Sequence, residues 1–202
     1  GILKIADRPS VKEVLKEHFG LLVKVFDHFS TIGVDFVFQA VTHSLIDTLK
    51  ADRCSIWVVD YQKKELWTKV SSGTSGYQLR IPMSSGIIGD CVQSGAIINI
   101  SDAYEDPRFN DAVDKKTGFK TMQVLCVPAK SSNGKVLGAL QVINKSSGGC
   151  FDDDDLHFLE AFGKQIGVAV ANAITYNVSK DEIAKSSKNL QYLNSQIKSM
   201  EE

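Results

Sequence analysis

Residue type and spacing first suggest chemistry at Gly86-Ile87-Ile88-Gly89. The two glycines bracket two isoleucines at the start of a short helical stretch that ends near Gly95. The first amides of a helix have no intrahelical acceptor and sit at the positive end of its dipole. The amides of Ile87 and Ile88 would therefore receive a phosphate without any cationic side chain. Taken alone, G-x-x-G reads equally well as a tight turn that packs a helix closely. Downstream, the run Asn99-Ile100-Ser101-Asp102-Ala103-Tyr104-Glu105-Asp106-Pro107-Arg108-Phe109-Asn110 carries polar groups and aromatics that would close over a ligand. It opens a polar excursion over 101–120, and long loops inside a compact domain are usually functional.

Catalytic signatures are missing. No G-x-x-x-x-G-K-[ST] phosphate loop, G-x-S-x-G elbow or kinase motif set occurs. No nucleophile stands beside a base and an orienting group. Asp152-Asp153-Asp154-Asp155 lacks the alternating spacing and central glycine of a calcium loop, and its place is the N-terminus of a helix, where acidic groups complement the dipole. His18, His28, His43 and His157 are scattered, without metal-ligand spacing. Cys54, Cys91, Cys126 and Cys150 form no C-x-x-C pair, and Cys54 and Cys126 lie inside apolar runs. They read as reduced core thiols of a cytoplasmic protein. No metal and no cofactor is expected.

The elements that position these residues follow from hydrophobic period. Val11, Val14, Leu15, Phe19, Leu22, Val25, Phe26 and Phe29 give helical spacing after Pro9-Ser10, so an amphipathic helix is expected within 1–33. A second helix is expected over 35–50. β-Branched and aromatic residues then predict strands over 54–60, 65–70, 78–81, 97–100, 122–128 and 136–144. Gln62-Lys63-Lys64 and Ser131-Ser132-Asn133-Gly134 are hairpin turns. A short helix is expected around 110–114, and a long one from about 153 to the end. Within its last part, Ile183, Leu190 and Ile197 repeat every seven residues, with Ser186, Leu193 and Met200 offset by three. That is a coiled-coil seam, suited to a homodimer or to a connection into a downstream domain. Consecutive strands without crossover helices predict an antiparallel sheet with helices segregated to one side, an α+β fold.

Composition sets the outer bounds. The chain has 202 residues, 43% hydrophobic and 23% charged, with a formal net charge of −1. That balance argues against a broadly basic nucleic-acid binder. No apolar run approaches the roughly 18 residues of a membrane helix, so no membrane partner is expected. The start shows no signal peptide, and its Gly1 suggests a segment of a longer protein.

Several of these segments, taken in order, resemble a GAF domain. They are Ala51-Asp52-Arg53-Cys54-Ser55 entering a strand, Gly86-Ile87-Ile88-Gly89, the run from Asn99 to Asn110, Thr117-Gly118-Phe119-Lys120-Thr121, and Val142-Ile143-Asn144-Lys145. The likeness is nearest to regulatory GAF domains of cyclic-nucleotide phosphodiesterases and related adenylyl cyclases. It implies a PAS-like fold with a central antiparallel sheet flanked by helices, long N- and C-terminal helices, and a nucleotide buried under the loop and short helix. The expected division is a helix or linker over 1–33, the GAF domain over 34–175 and a connecting helix over 176–202.

By that resemblance the amides of Ile87 and Ile88, with backbone near Ala103 and Tyr104, face a cyclic phosphate. Asp102 stands in the same lid run. Thr117 and Thr121 face the ribose or base side, Arg53, Ser55 and Gln141 line the base, and Asn110 holds the lid. The family's Asn, Lys, Phe, Asp, Glu signature is matched by Asn144, Lys145, Phe151 and Asp155, whereas its Glu position is Leu156. Relatives that bind cyclic nucleotides often carry Phe-Asp where this chain has Ser71-Ser72. A carboxylate there accepts from both donors of guanine, whereas the Ser72 hydroxyl suits the donor and acceptor of adenine. The implied function is a regulatory module, not an enzyme. It binds cAMP in preference to cGMP and controls a downstream phosphodiesterase domain, and the alternative is a non-binding dimerisation domain. A bilin-binding relative would need a pocket cysteine with a partner histidine, and neither Cys91 nor Cys126 is followed by one.

Overall fold

The computed structural model describes residues 34–71, 78–146 and 148–171, together with the single position 186. The helix expected within 1–33, Ser72 and, apart from position 186, the heptad seam lie outside these residues.

The chain enters helix α1 (Val34–Leu49), where Phe38, Val41, Leu45 and Leu49 recur at helical spacing and are all buried. The Thr42 hydroxyl on that inner face is satisfied by donating to the Phe38 carbonyl. Lys50, in the left-handed region, turns the chain straight into strand β1 (Ala51–Asp60). A tight turn over 61–64 leads to β2 (Glu65–Ser71), and β3 (Arg80–Pro82) follows. Next come helix α2 (Gly86–Ser94), β4 (Ile98–Ile100), a single 3-10 turn (Ala103–Glu105) and helix α3 (Ala112–Thr117). Strands β5 (Val124–Lys130) and β6 (Val136–Lys145) form a hairpin, and helix α4 is described over 153–171.

The six strands form one sheet in the order β3-β2-β1-β6-β5-β4, with every pairing antiparallel. Its centre is the long β1–β6 pair, in register so that Ser55 faces Gln141 and Arg53 faces Ile143. The sheet has two covered faces. On one, Cys54, Ile56, Val58, Leu125, Val127, Leu140 and Val142 pack against α1 and α4. On the other, Trp57, Val59, Leu66, Val124, Cys126 and Ala139 pack against α2 and Ala103. Each of the valine, leucine and isoleucine side chains among them contributes about 1.5–3 kcal/mol when withdrawn from water.

The expectation of helices on one side, drawn from strand order, is therefore corrected, and the sheet flanked by helices that the resemblance implied is the one observed. Strand β5 is buried at Val124, Leu125, Cys126, Val127, Pro128 and Ala129, so both of its faces are covered. A continuous apolar run of this kind signals two-sided burial, where a half-solvated sheet alternates. Among the described residues the other expected elements occur within a few residues of their expected bounds, and the long last helix is described only over 153–171. The exception is the 3-10 turn at Ala103, which the polar excursion concealed.

Helix α4 lies close enough to β5 to require glycine. A methyl group on Gly167 would fall 2.6 Å from the Lys130 nitrogen and closer still to its carbonyl oxygen. One turn earlier, a methyl on Gly163 would fall 3.0 Å from a Val127 methyl and 3.1 Å from the Pro128 oxygen.

Candidate functional site

The face of the sheet under α2 carries the expected site residues. Arg53, Ser55 and Trp57 of β1 stand beside Ile143, Gln141 and Ala139 of β6. The Gln141 side-chain oxygen accepts a bond from the Trp57 indole at 3.1 Å, which fixes the orientation of that amide. The Arg53 guanidinium lies over the Phe119 ring, 3.7 Å from its centroid. This stack brings β1 against the segment that follows α3, and sequence reasoning did not assign Phe119 a role. A cation on an aromatic face gains roughly 0.5–1 kcal/mol in exposed settings.

Helix α2 covers the middle of this face through Ile87, Ile88, Cys91 and Val92. Both glycines of its N-terminal motif have a backbone reason to be there. Gly86 has φ +69°, and a methyl on Gly89 would sit 2.8 Å from the Met83 oxygen. The Gly89 amide donates to the Ser85 carbonyl, while the Ser85 side chain makes no capping bond. Among the described residues, the Ile87 and Ile88 amides find no backbone acceptor. The packing and anion-binding senses of G-x-x-G are thus compatible: tight packing of the turn leaves these donors unspent.

A roof made of residues 101–121 lies beside them. Asp102 accepts from the Tyr104 amide at 3.0 Å, and the Ala103 amide donates to the Met122 carbonyl at 2.7 Å. The backbone donors expected near Ala103 and Tyr104 are therefore engaged within the roof. Thr121 is buried, and both its amide and its hydroxyl donate to Asp114, at 2.6 and 2.8 Å. The Tyr104 hydroxyl donates to the same carboxylate at 3.2 Å. Partial burial and the Asp114 partner raise the Tyr104 phenol above its ordinary pKa.

Asp114 is thus the buried hub of the roof, and sequence reasoning missed it. A lone carboxylate in a polar loop carries no periodic signal, and its burial depends on the fold of 112–121. Replacing Asp114 by alanine strands buried donors and is expected to lower stability by about 2–3 kcal/mol. Urea unfolding of the variant against the parent domain measures this.

Asn110 and Thr117 stand at opposite ends of α3 and are exposed. The Asn110 side chain accepts from the Ala112 amide, and the Thr117 hydroxyl donates to the Val113 carbonyl. Both therefore shape α3 itself. Arg108 grips Asp106 through two guanidinium bonds of 2.9 and 2.6 Å and reaches Asp90 of α2 at 2.5 Å. Its guanidinium holds the Asp106 carboxyl below the usual carboxylate range. Ser72 lies outside the described residues.

The signature residues serve as joints. Asn144, at φ +56°, donates to the Lys120 carbonyl and accepts from the Met122 amide, so it ties the end of β6 to the roof. Lys145 pairs with buried Asp155 and lies over the Phe151 ring. Asp152 and Asp155 exchange side-chain-to-amide bonds across the first turn of α4, at 2.9 and 3.2 Å. The acidic run is therefore a reciprocal helix cap.

Thiol and metal chemistry find little support. Burial pushes the Cys54 and Cys91 thiols up to about 12 and raises Cys126 well above its ordinary value. Such groups stay protonated and poorly nucleophilic at neutral pH. None of the four cysteines is in a disulfide, and only Cys150 is exposed. Among the described residues no cluster of His, Cys, Asp or Glu is arranged to hold a metal ion. No described helix is long and apolar enough to cross a membrane.

Comparison with known proteins agrees with this architecture. The chain is 38% identical over 156 residues to a dual 3',5'-cyclic-AMP and -GMP phosphodiesterase 11A of Takifugu rubripes, covering 71% of this chain and 17% of that protein. It is 34% identical over 181 residues to a dual 3',5'-cyclic-AMP and -GMP phosphodiesterase 11 of Drosophila melanogaster, covering 80% of this chain and 12% of that one. The chain thus spans less than a fifth of the length of these curated relatives. In structure it is similar to the GAF domain of a phosphoenolpyruvate-protein phosphotransferase from Coxiella burnetii. The TM-score is 0.71 at 20% identity, covering 83% of this chain and 96% of that one. The corresponding Acinetobacter domain gives 0.69 at 21% identity, over 84% and 99%. A family model for the GAF domain matches residues 34–170, and with the two-faced antiparallel sheet this places the chain in the GAF domain family.

Proposed function

We propose that this domain is the cyclic-nucleotide-sensing module of a 3',5'-cyclic-nucleotide phosphodiesterase and that it carries out no catalysis itself. The observation that carries the proposal is the pair of unspent amides of Ile87 and Ile88 at the N-terminus of α2, beside the roof over 101–121. Neutral donors suit a singly charged cyclic phosphate, because a buried cation would first have to lose its own hydration. The curated relatives are phosphodiesterases whose names specify both cyclic nucleotides. Arg53, Ser55 and Gln141 share the sheet face on which a base would lie. The ligand is cAMP in preference to cGMP, because Ser72 offers a hydroxyl in place of a carboxylate.

Binding orders the roof and, through Asn144 and the Lys145–Asp155 joint, biases α4 and a downstream catalytic domain. The bias exists only to the extent that the two states differ in nucleotide affinity. On the same reading, the segments over 1–33 and 176–202 join two copies of the chain into a homodimer.

A second function, dimerisation without a ligand, draws on one specific observation. Every buried side-chain nitrogen or oxygen among the described residues already has a hydrogen-bond partner. Calorimetric titration of the domain, stripped of copurified nucleotide, separates the two. Saturable heat with cAMP, and weaker binding of cGMP, is expected. Tighter binding of cGMP would overturn the Ser72 argument. No heat with either at millimolar nucleotide would leave dimerisation as the function.

A further inference from the structure

We propose that Arg108 is a positioning residue for this site: it latches the roof to α2, and the Asp90–Arg108 pair sets how fast ligand enters and leaves. This deepens the sensor proposal and rests on it. Arg108 lies midway along the roof. Its Nε and Nη2 form a planar fork on the two carboxylate oxygens of Asp106, and its own amide donates to the same residue at 2.9 Å. A fork of this kind fixes the plane of the guanidinium, which a lysine ammonium would not do. The loop thereby aims the remaining Nη1 outward, and that nitrogen meets Asp90 Oδ2 at 2.5 Å.

Asp90 is one turn along α2 from the unspent amides. The Arg108 carbonyl also passes over the start of the helix, 3.9 Å from where a methyl on Gly86 would lie. The latch therefore joins the roof to the helix beside the donors that would hold the phosphate. The roof's other polar ties run elsewhere. Ala103 bonds to Met122, and Tyr104 and Thr121 bond to Asp114. The Tyr104 ring also packs at a tilt of 57° against Phe109, with centroids 5.0 Å apart. Among the described residues, Asp90–Arg108 is the only ion pair between the roof and α2.

The Arg108 and Asp90 side chains are 39% and 43% exposed. An exposed pair is weak enough to open repeatedly, and it responds to salt because exposed charges are screened within roughly 10 Å at 0.1 M and 3 Å at 1 M. With both carboxylates bound, the Arg108 charge is compensated, so Arg108 itself is not assigned to the phosphate.

The test uses Asp90→Asn, which cuts the latch and leaves the Asp106 fork intact, with Asp90→Glu as the conservative rescue. Deuterium uptake over 101–111 is read on the ligand-free domain, and dissociation of a fluorescent cyclic nucleotide is read by stopped flow, each at low and high salt. In the parent domain, high salt should speed both. Asp90→Asn should show faster uptake and dissociation about 2–5-fold faster at low salt, with little further response to salt. Asp90→Glu should behave as the parent. Unchanged uptake in Asp90→Asn, or an undiminished salt response, would overturn the latch. Uptake needs no ligand, so a domain that bound no nucleotide would sink the sensor proposal while the latch was still decided by exchange.

Discussion

Replacing Lys145 by methionine is expected to destabilise the domain by about 3–5 kcal/mol, because it takes the Lys145 charge away from a buried carboxylate. Asp155 is 1% exposed, and Lys145 is its ion-pair partner. For a domain of this size the loss corresponds to a fall in melting temperature of roughly 6–20 °C. The position makes the effect larger than that of the exposed pairs. Lys145 ends β6, Asp155 sits in the first turn of α4, and Phe151 between them is buried with its carbonyl bonded by Asn99. The double variant Lys145→Met/Asp155→Leu removes both charges and is expected to recover part of the loss, the remainder reflecting the cap bond that Asp155 accepts from the Asp152 amide. Calorimetric unfolding of the three proteins decides it. A single variant within about 1 kcal/mol of the parent would show that the pair is solvated enough to be dispensable.

Gly167→Ala is expected to cost about 3 kcal/mol or more, at the upper end of overpacking effects. The added methyl would overlap the backbone of Lys130, and backbone in the middle of a layered core yields less readily than a flexible side chain. To admit it, α4 must lift off β5, separating Phe162, Ile166 and Val170 from the core they share with Val127. Gly163→Ala meets a Val127 methyl and the Pro128 oxygen at 3.0–3.1 Å, so a smaller loss of about 1–2 kcal/mol is expected there. Urea midpoints of both variants give the comparison. Equal and small losses would mean that the helix can shift along the strand at little cost.

These two positions also mark how far the sequence could be read. The strands were legible because Cys54–Asp60 and Val136–Asn144 are rich in β-branched and apolar residues and are bounded by turn residues. The helical period of Phe38, Val41, Leu45 and Leu49 was equally plain. Hydrophobic period alone left the second covered face unread, although the GAF resemblance implied it, because its covering pieces are short: α2 is nine residues, and the 3-10 turn at Ala103 is three. The unbroken apolar run of β5 held that information. Gly163 and Gly167 carry no readable signal of their packing role, since a close backbone approach is invisible without the partner strand. At the site, the helix N-terminus was legible from spacing alone. The roof was not, because Asp114, Phe119 and Arg108 act through partners many residues distant: Arg53 lies 66 positions from Phe119, and Asp90 lies 18 from Arg108. Thr121 was singled out as a ligand contact, and its hydroxyl is bonded to Asp114 in this structure.

The central claim is that the α2 N-terminus receives the phosphate of a cyclic nucleotide. The most direct measurement is an amide-resolved NMR titration of the stripped domain with cAMP. The expected result is a saturable, downfield displacement of the Ile87 and Ile88 amide protons, larger than that of the Val92 amide within the same helix. Saturable binding with the Ile87 and Ile88 signals unmoved, or no displacement anywhere at millimolar nucleotide, would contradict it.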